Sequence, residues 1–155
     1  MFAIKLESQP VIDALHNLQH IGLELDPVLK NIGEMLINST KERFRTSRAP
    51  DGTQWAEKQD KTFNDRPLIG ETKSLSRQIH WQLVSGDLLV GSTMEYGATQ
   101  HFGAAAGQYG QTTRGAAIPF GNIAARPFIG ISTDDETAIL EFIERYIEKK
   151  ATATK

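Results

Sequence analysis

Two stretches of this 155-residue chain carry apolar residues at helical spacing, and they lie almost a hundred residues apart. Val28, Leu29, Ile32, Met35, Leu36 and Phe44 form the first stripe; Ile139, Leu140, Phe142, Ile143, Tyr146 and Ile147 form the second. A one-sided stripe is stable only when buried against another element. Between the two, the pattern changes to alternation. Ile79, Trp81 and Leu83 alternate with His80, Gln82 and Val84, Ser85-Gly86-Asp87 forms a turn, and 88–92 follows, which predicts a β-hairpin. Phe2, Ile4 and Leu6 alternate in the same way and predict a short first strand. Pro10 opens a further helical pattern through Val11, Ile12, Leu15, Leu18 and Leu25, with Gly22 as a break.

Local signals sharpen the boundaries. Asp26 is placed to cap the second helix, Pro27 suits the first helical position, and the helix runs to about Arg45. Tyr96, Ala98, His101 and Phe102 predict one or two helical turns, stopped by Gly103. Pro127-Phe128-Ile129-Gly130-Ile131 predicts a last strand, and Thr133 with Glu136 has capping-box spacing for the C-terminal helix. Strands and helices do not alternate, so the expected class is α+β: a small, mostly antiparallel sheet with helices packed on one face and two long loops. The length suits one domain, 1–150, with 151–155 frayed.

The loops occupy about 46–67 and 103–125. In the first, Pro50-Asp51-Gly52 marks a turn and Trp55 stands among polar neighbours. The second is rich in Gly, Ala, Gln and Thr, with Tyr109 its only large apolar side chain up to 117. Such a composition buries too little apolar area to offset ordering entropy, so flexibility in isolation is expected.

Several function classes are disfavoured. The absence of cysteine removes disulfides, thiolate zinc sites and cysteine nucleophiles. A net charge of −2 provides no global field for nucleic acid or an acidic membrane. No basic stretch precedes an apolar run, and no run reaches the roughly 18 apolar residues of a bilayer span. His16 and His20 have metal-sharing spacing on a helix, but Asn17 stands where a helical zinc motif needs Glu and no third ligand is evident. In Gly70-Glu71-Thr72-Lys73-Ser74, Thr72 replaces the glycine a phosphate loop requires before Lys-Ser. Ser92 lacks the flanking glycines of a nucleophile elbow. No metal, cofactor or catalytic residue is therefore assigned.

Two groups remain. Lys41, Arg43, Arg45 and Arg48 cluster at the end of the second helix, where cations complement the helix dipole. Read as a patch, they offer a small nucleic-acid-binding module as the alternative function, although aromatics do not interleave with them. In Arg126-Pro127-Phe128-Ile129-Gly130-Ile131, proline fixes an extended entry and Gly130 lets another backbone or ring come close. A third reading, a hydrolase using His101 with a nearby carboxylate, has no substrate attached.

Taken in order, four segments resemble the phage virion morphogenesis, or tail-completion, family of Mu-like contractile-tailed phages and prophages. They are Phe44 with the Pro50-Asp51-Gly52-Thr53-Gln54-Trp55 turn, the stretch from Leu68 to Ile79, Tyr96-Gly97-Ala98-Thr99-Gln100-His101-Phe102-Gly103, and Arg126-Pro127-Phe128-Ile129-Gly130-Ile131-Ser132. Lys73 stands where the family usually has Gly, Gln78 where Ser is common, and Gln100 precedes His101 where the family more often has Gln after it. The resemblance implies a non-enzymatic structural protein of tail completion or head–tail joining. Its implied partners are tail tube or connector proteins and further copies of itself, in a ring, with neither membrane nor nucleic acid. Its implied place is the bacterial host cytoplasm during assembly, or the virion tail. Trp55, Tyr96, His101, Phe102, Arg126, Pro127, Phe128 and Gly130 are the candidate assembly or structural residues.

Overall fold

The computed structural model describes residues 2–4, 8–59, 61–62, 64–69 and 73–153. Leu6 of the expected first strand, Gly70, Glu71 and Thr72 of the phosphate-loop-like segment, and the last two residues lie outside them. The elements are β1 (Phe2–Ile4), α1 (Gln9–His20), α2 (Asp26–Thr46), α3 (Ser74–Arg77), β2 (Ile79–Val84), β3 (Asp87–Ser92), α4 (Gly97–Phe102) and α5 (Thr133–Ala153). The fold is α+β, as the patterning predicts.

The three strands form an antiparallel sheet in the order β1-β3-β2. Trp81 pairs with Val90, Ile79 with Ser92, and Phe2 with Ser92 from the other side. Directly paired residues share a face, so Ile79, Trp81, Leu83, Leu88, Val90 and Phe2 form one apolar surface. His80, Gln82 and Val84 point to the opposite face and are exposed. Helix α2 lies on the apolar face against β2 and β3, and it also packs on α5, which packs on α1. The core runs through this stack: Leu18 from α1, Val28, Ile32, Leu36 and Phe44 from α2, Val90 from β3, and Ile139 and Ile143 from α5.

Close approach of α2 to the sheet needs a residue without a side chain. Gly33 is buried under the Trp81 ring, and a Cβ there would lie 2.6, 2.8 and 2.9 Å from three indole atoms. The Trp81 Nε1–H donates to Glu34 Oε1 at 2.6 Å, which holds the indole in place. Gly33→Ala gains about 1 kcal/mol of helix propensity but overpacks a fixed ring at about 1–3 kcal/mol. A net loss of stability is expected in urea unfolding, and Gly33→Ala with Trp81→Leu should recover it.

Two local expectations change. Asp26 is the first helical residue of α2, with no side-chain capping bond; its charge instead sits in the first turn, where the helix dipole favours it. The capping box of α5 is one residue earlier than Thr133 and Glu136. Asp135 N–H donates to Ser132 Oγ at 3.0 Å, and Ser132 N–H donates back to Asp135 Oδ2 at 2.9 Å. Glu136 is thereby free to accept from Ser8 Oγ at 2.7 Å, tying the start of α1 to α5.

Candidate assembly site

The segment expected as a last strand, 127–131, is not one: it has no ladder pairing, and the chain bends at 129–130. Side chains and irregular backbone bonds hold it as a strap across the end of the core. Arg126 N–H donates to Gln100 O at 2.9 Å. The Arg126 guanidinium donates to Ala56 O at 2.8 Å and Glu57 O at 2.9 Å. Trp55 Nε1–H donates to Pro127 O at 2.7 Å. Phe128 N–H donates to His101 Nδ1 at 3.3 Å. Arg43 Nη1 donates to Phe128 O at 3.0 Å. Gly130 faces the Pro50 ring, whose Cγ would stand 2.6 Å from an added Cβ.

The strap is also the centre of an aromatic cluster. Phe128 is fully buried and meets Phe44 at 5.4 Å, His101 at 5.2 Å and Phe2 at 6.2 Å between ring centroids. Phe44 in turn meets Trp55 edge-on at 5.6 Å. Trp55, which the sequence leaves among polar neighbours, is therefore a buried anchor. It pins the first loop beside the Arg48–Gln54 bridge. Of the eight candidate residues, Trp55, His101, Arg126, Pro127, Phe128 and Gly130 converge on this strap. Phe102 touches it only through Phe2 and His101, while Tyr96 and Phe102 are both exposed.

The strap's electrostatics are those of burial. Arg43, from α2, is buried and ion-paired with Asp135 of the α5 capping box. Burial lowers its pKa, and the Asp135 charge opposes that shift. Burial also lowers Arg126, whose partners are neutral carbonyls. His101 is pushed down to about 4 by burial, and its Nδ1 is occupied as an acceptor, which places the ring proton on Nε2. No carboxylate is among the partners of His101 within the described residues.

Because the folded pKa of His101 lies below the ordinary value of 6.5, the unfolded chain takes up the proton first as pH falls. Stability is full above about pH 6.5 and is lost between there and about pH 4, by roughly 3 kcal/mol at 1.36 kcal/mol per unit. His101→Asn keeps a side-chain acceptor without an imidazole. Urea midpoints at several pH values should fall less steeply for it than for the wild type across that window.

The four cations of the expected basic patch do not form one surface. Arg43 turns into the core, Arg48 donates to Gly52 O at 3.1 Å beside the first loop, and exposed Arg45 pairs with Glu42. Only Lys41 and Arg45 remain together, four residues apart on one side of α2. The inward turn of Arg43 was legible: it continues the buried series Ile32, Leu36 and Thr40 at helical spacing. His16 and His20 are exposed on α1, and no metal-holding group of three occurs among the described residues.

The second loop is built differently. Residues 104–123 double back on themselves. Ala104 and Ile123 exchange backbone bonds of 3.0 and 2.7 Å, Tyr109 N–H reaches Ile118 O at 2.8 Å, and Thr112 N–H reaches Ala116 O at 2.8 Å. None of 105–122 is buried. Yet this arm carries Tyr109, Ile118 and Phe120 on its surface, with Phe120 90% exposed.

The phage virion morphogenesis family matches residues 6–148. The chain belongs to that family. It is similar to the Mu-like prophage FluMu G protein 2 of Haemophilus influenzae, 28% identical over 141 residues that cover 91% of each chain. No solved structure matches it. The protein is thus a phage structural, morphogenesis-type component, and no helix among its described residues is long and apolar enough to cross a membrane. Within this family member the Arg-Pro-Phe segment is a structural clasp, and the arm carries Tyr109, Ile118 and Phe120 exposed, with the Tyr109 hydroxyl 3.3 Å from Thr99 Oγ1 of α4.

Proposed function

We propose that this protein acts in tail completion or head–tail joining, without catalysis, by docking its arm on a tail tube or connector protein while associating with copies of itself. It does so in the bacterial host cytoplasm during assembly. The observation that carries this reading is the arm at 104–123: a backbone-paired projection with Phe120 90% exposed and Tyr109 and Ile118 beside it. Exposed aromatics on a pre-formed loop are costly in solution and suit burial at an interface, where such residues dominate the binding energy. The strap supports the arm at its base, since Arg126 and Gln100 are bonded just after and just before it.

The test uses a lysogen lacking this gene, complemented in trans. The wild-type chain should restore head-joined, infectious particles and bind purified tails. Phe120→Ser with Tyr109→Ser should bind tails about 30-fold or more weakly, as expected for loss of an aromatic anchor. Its urea midpoint should stay nearly unchanged, because both side chains are exposed. A variant that binds tails and complements like the wild type would remove the arm from the assembly.

A further inference from the structure

A set of cations separate in sequence meets at one place on the surface. Lys41 and Arg45 of α2, Arg66 of the first loop, and Lys73 and Arg77 around α3 line a single groove of about 390 Å³. No carboxylate lines it among the described residues. Arg45 is ion-paired with Glu42, and the other four cations have no ion pair among the described residues. Such a concentration in a chain of net charge −2 requires compensating acid elsewhere.

That acid is also organised. On α5, Asp134, Glu141, Glu144 and Glu148 are exposed and fall on one side of the helix, opposite the buried Ile139 and Ile143. None of the four is ion-paired among the described residues. Arg145 flanks this ridge. Groove and ridge cannot neutralise each other within one molecule. Arg43 projects from α2 towards the start of α5, whereas Lys41 and Arg45, each two residues away, project from the opposite side of α2.

We infer that the basic groove receives the acidic α5 ridge of a second copy of this chain. A convex helix face meets a concave surface of opposite charge. Since the two surfaces differ, the contact is head-to-tail and repeats from copy to copy, closing into a ring if the rotation allows. The inference rests on the proposed self-association but not on the arm. A duplex nucleic acid is the less suitable occupant. The cations surround a compact groove instead of tracking a backbone, no exposed aromatic of the described residues lies among them, and the acidic ridge opposes approach of a polyanion.

The test is sedimentation of the full chain and two charge-reversed variants, Lys73→Glu/Arg77→Glu in the groove and Glu141→Lys/Glu144→Lys/Glu148→Lys on the ridge. Wild-type association should weaken about tenfold or more when salt is raised well past the Debye regime of rim charges. Each variant alone should be monomeric, because like charges now face each other, while an equimolar mixture of the two should associate again. That recovery also shows that both variants are folded. A monomeric wild type, association of either variant alone, or a mixture that stays monomeric would overturn the inference. So would retention of a short DNA duplex that Lys73→Glu/Arg77→Glu abolishes, which assigns the groove to nucleic acid. Arm variants should still self-associate, so loss of tail binding and loss of self-association report separately on the two readings.

Discussion

Phe128→Ala is expected to lower the unfolding free energy by about 3–5 kcal/mol, the range for truncating a fully buried aromatic. Phe128 has no exposed surface and touches three rings, from α2, α4 and β1. Its removal leaves a cavity where four segments meet, and none of them can collapse into it freely. Phe44 is held by Trp55, which is bonded to Pro127, and His101 is held by the Phe128 N–H. Against a typical total of 5–15 kcal/mol for a folded domain, this loss removes much of the margin. Chemical unfolding followed by tryptophan fluorescence will report it, since Trp55 sits at the site. A loss below about 1 kcal/mol would mean that the strap is not part of the cooperative core.

Arg43→Met is expected to cost about 3–5 kcal/mol, the penalty for stranding one partner of a buried ion pair. Arg43 has side-chain exposure of 7% and Asp135 of 12%, so water compensates little of the loss. Arg43 also donates to Phe128 O and Ser39 Oγ, so one substitution loosens α2, the strap and α5 together. The double variant Arg43→Met/Asp135→Asn should recover part of the loss. The introduced amide oxygen still accepts from the Ser132 N–H, and no uncompensated charge is left buried. The unfolding free energies of the two single variants and the double variant give the coupling directly. If the two single losses simply added, the pair would carry no special weight.

What is local in this protein is legible from its residues. The apolar stripes of α2 and α5 repeat within a few positions, the alternation of β2 and β3 is interrupted by Ser85-Gly86, and Gly103 stops α4 at φ 75°. Each signal is carried by residues that remain neighbours after folding. The Arg-Pro-Phe segment shows the limit. Its apolar alternation resembles that of a strand, but none of the described strands pairs with it, and its backbone groups are satisfied by Arg43, Trp55, His101 and Gln100. The Gly- and Ala-rich arm shows another. Its composition indicates little burial, which holds, but composition carries no information about backbone pairing across a doubled-back loop.

The sequence by itself determined the α+β class, the hairpin, the stripes that face the core and the resemblance to a virion morphogenesis family, because periodicity and ordered motifs are properties of near neighbours. The tertiary structure alone decided which cations act together. Arg43 left the apparent basic patch to pair with Asp135, 92 positions away, while Arg66, Lys73 and Arg77 joined Lys41 and Arg45 around one groove. Charge is read by distance in space, and that distance is set only when α2, the first loop and α3 are packed against one another.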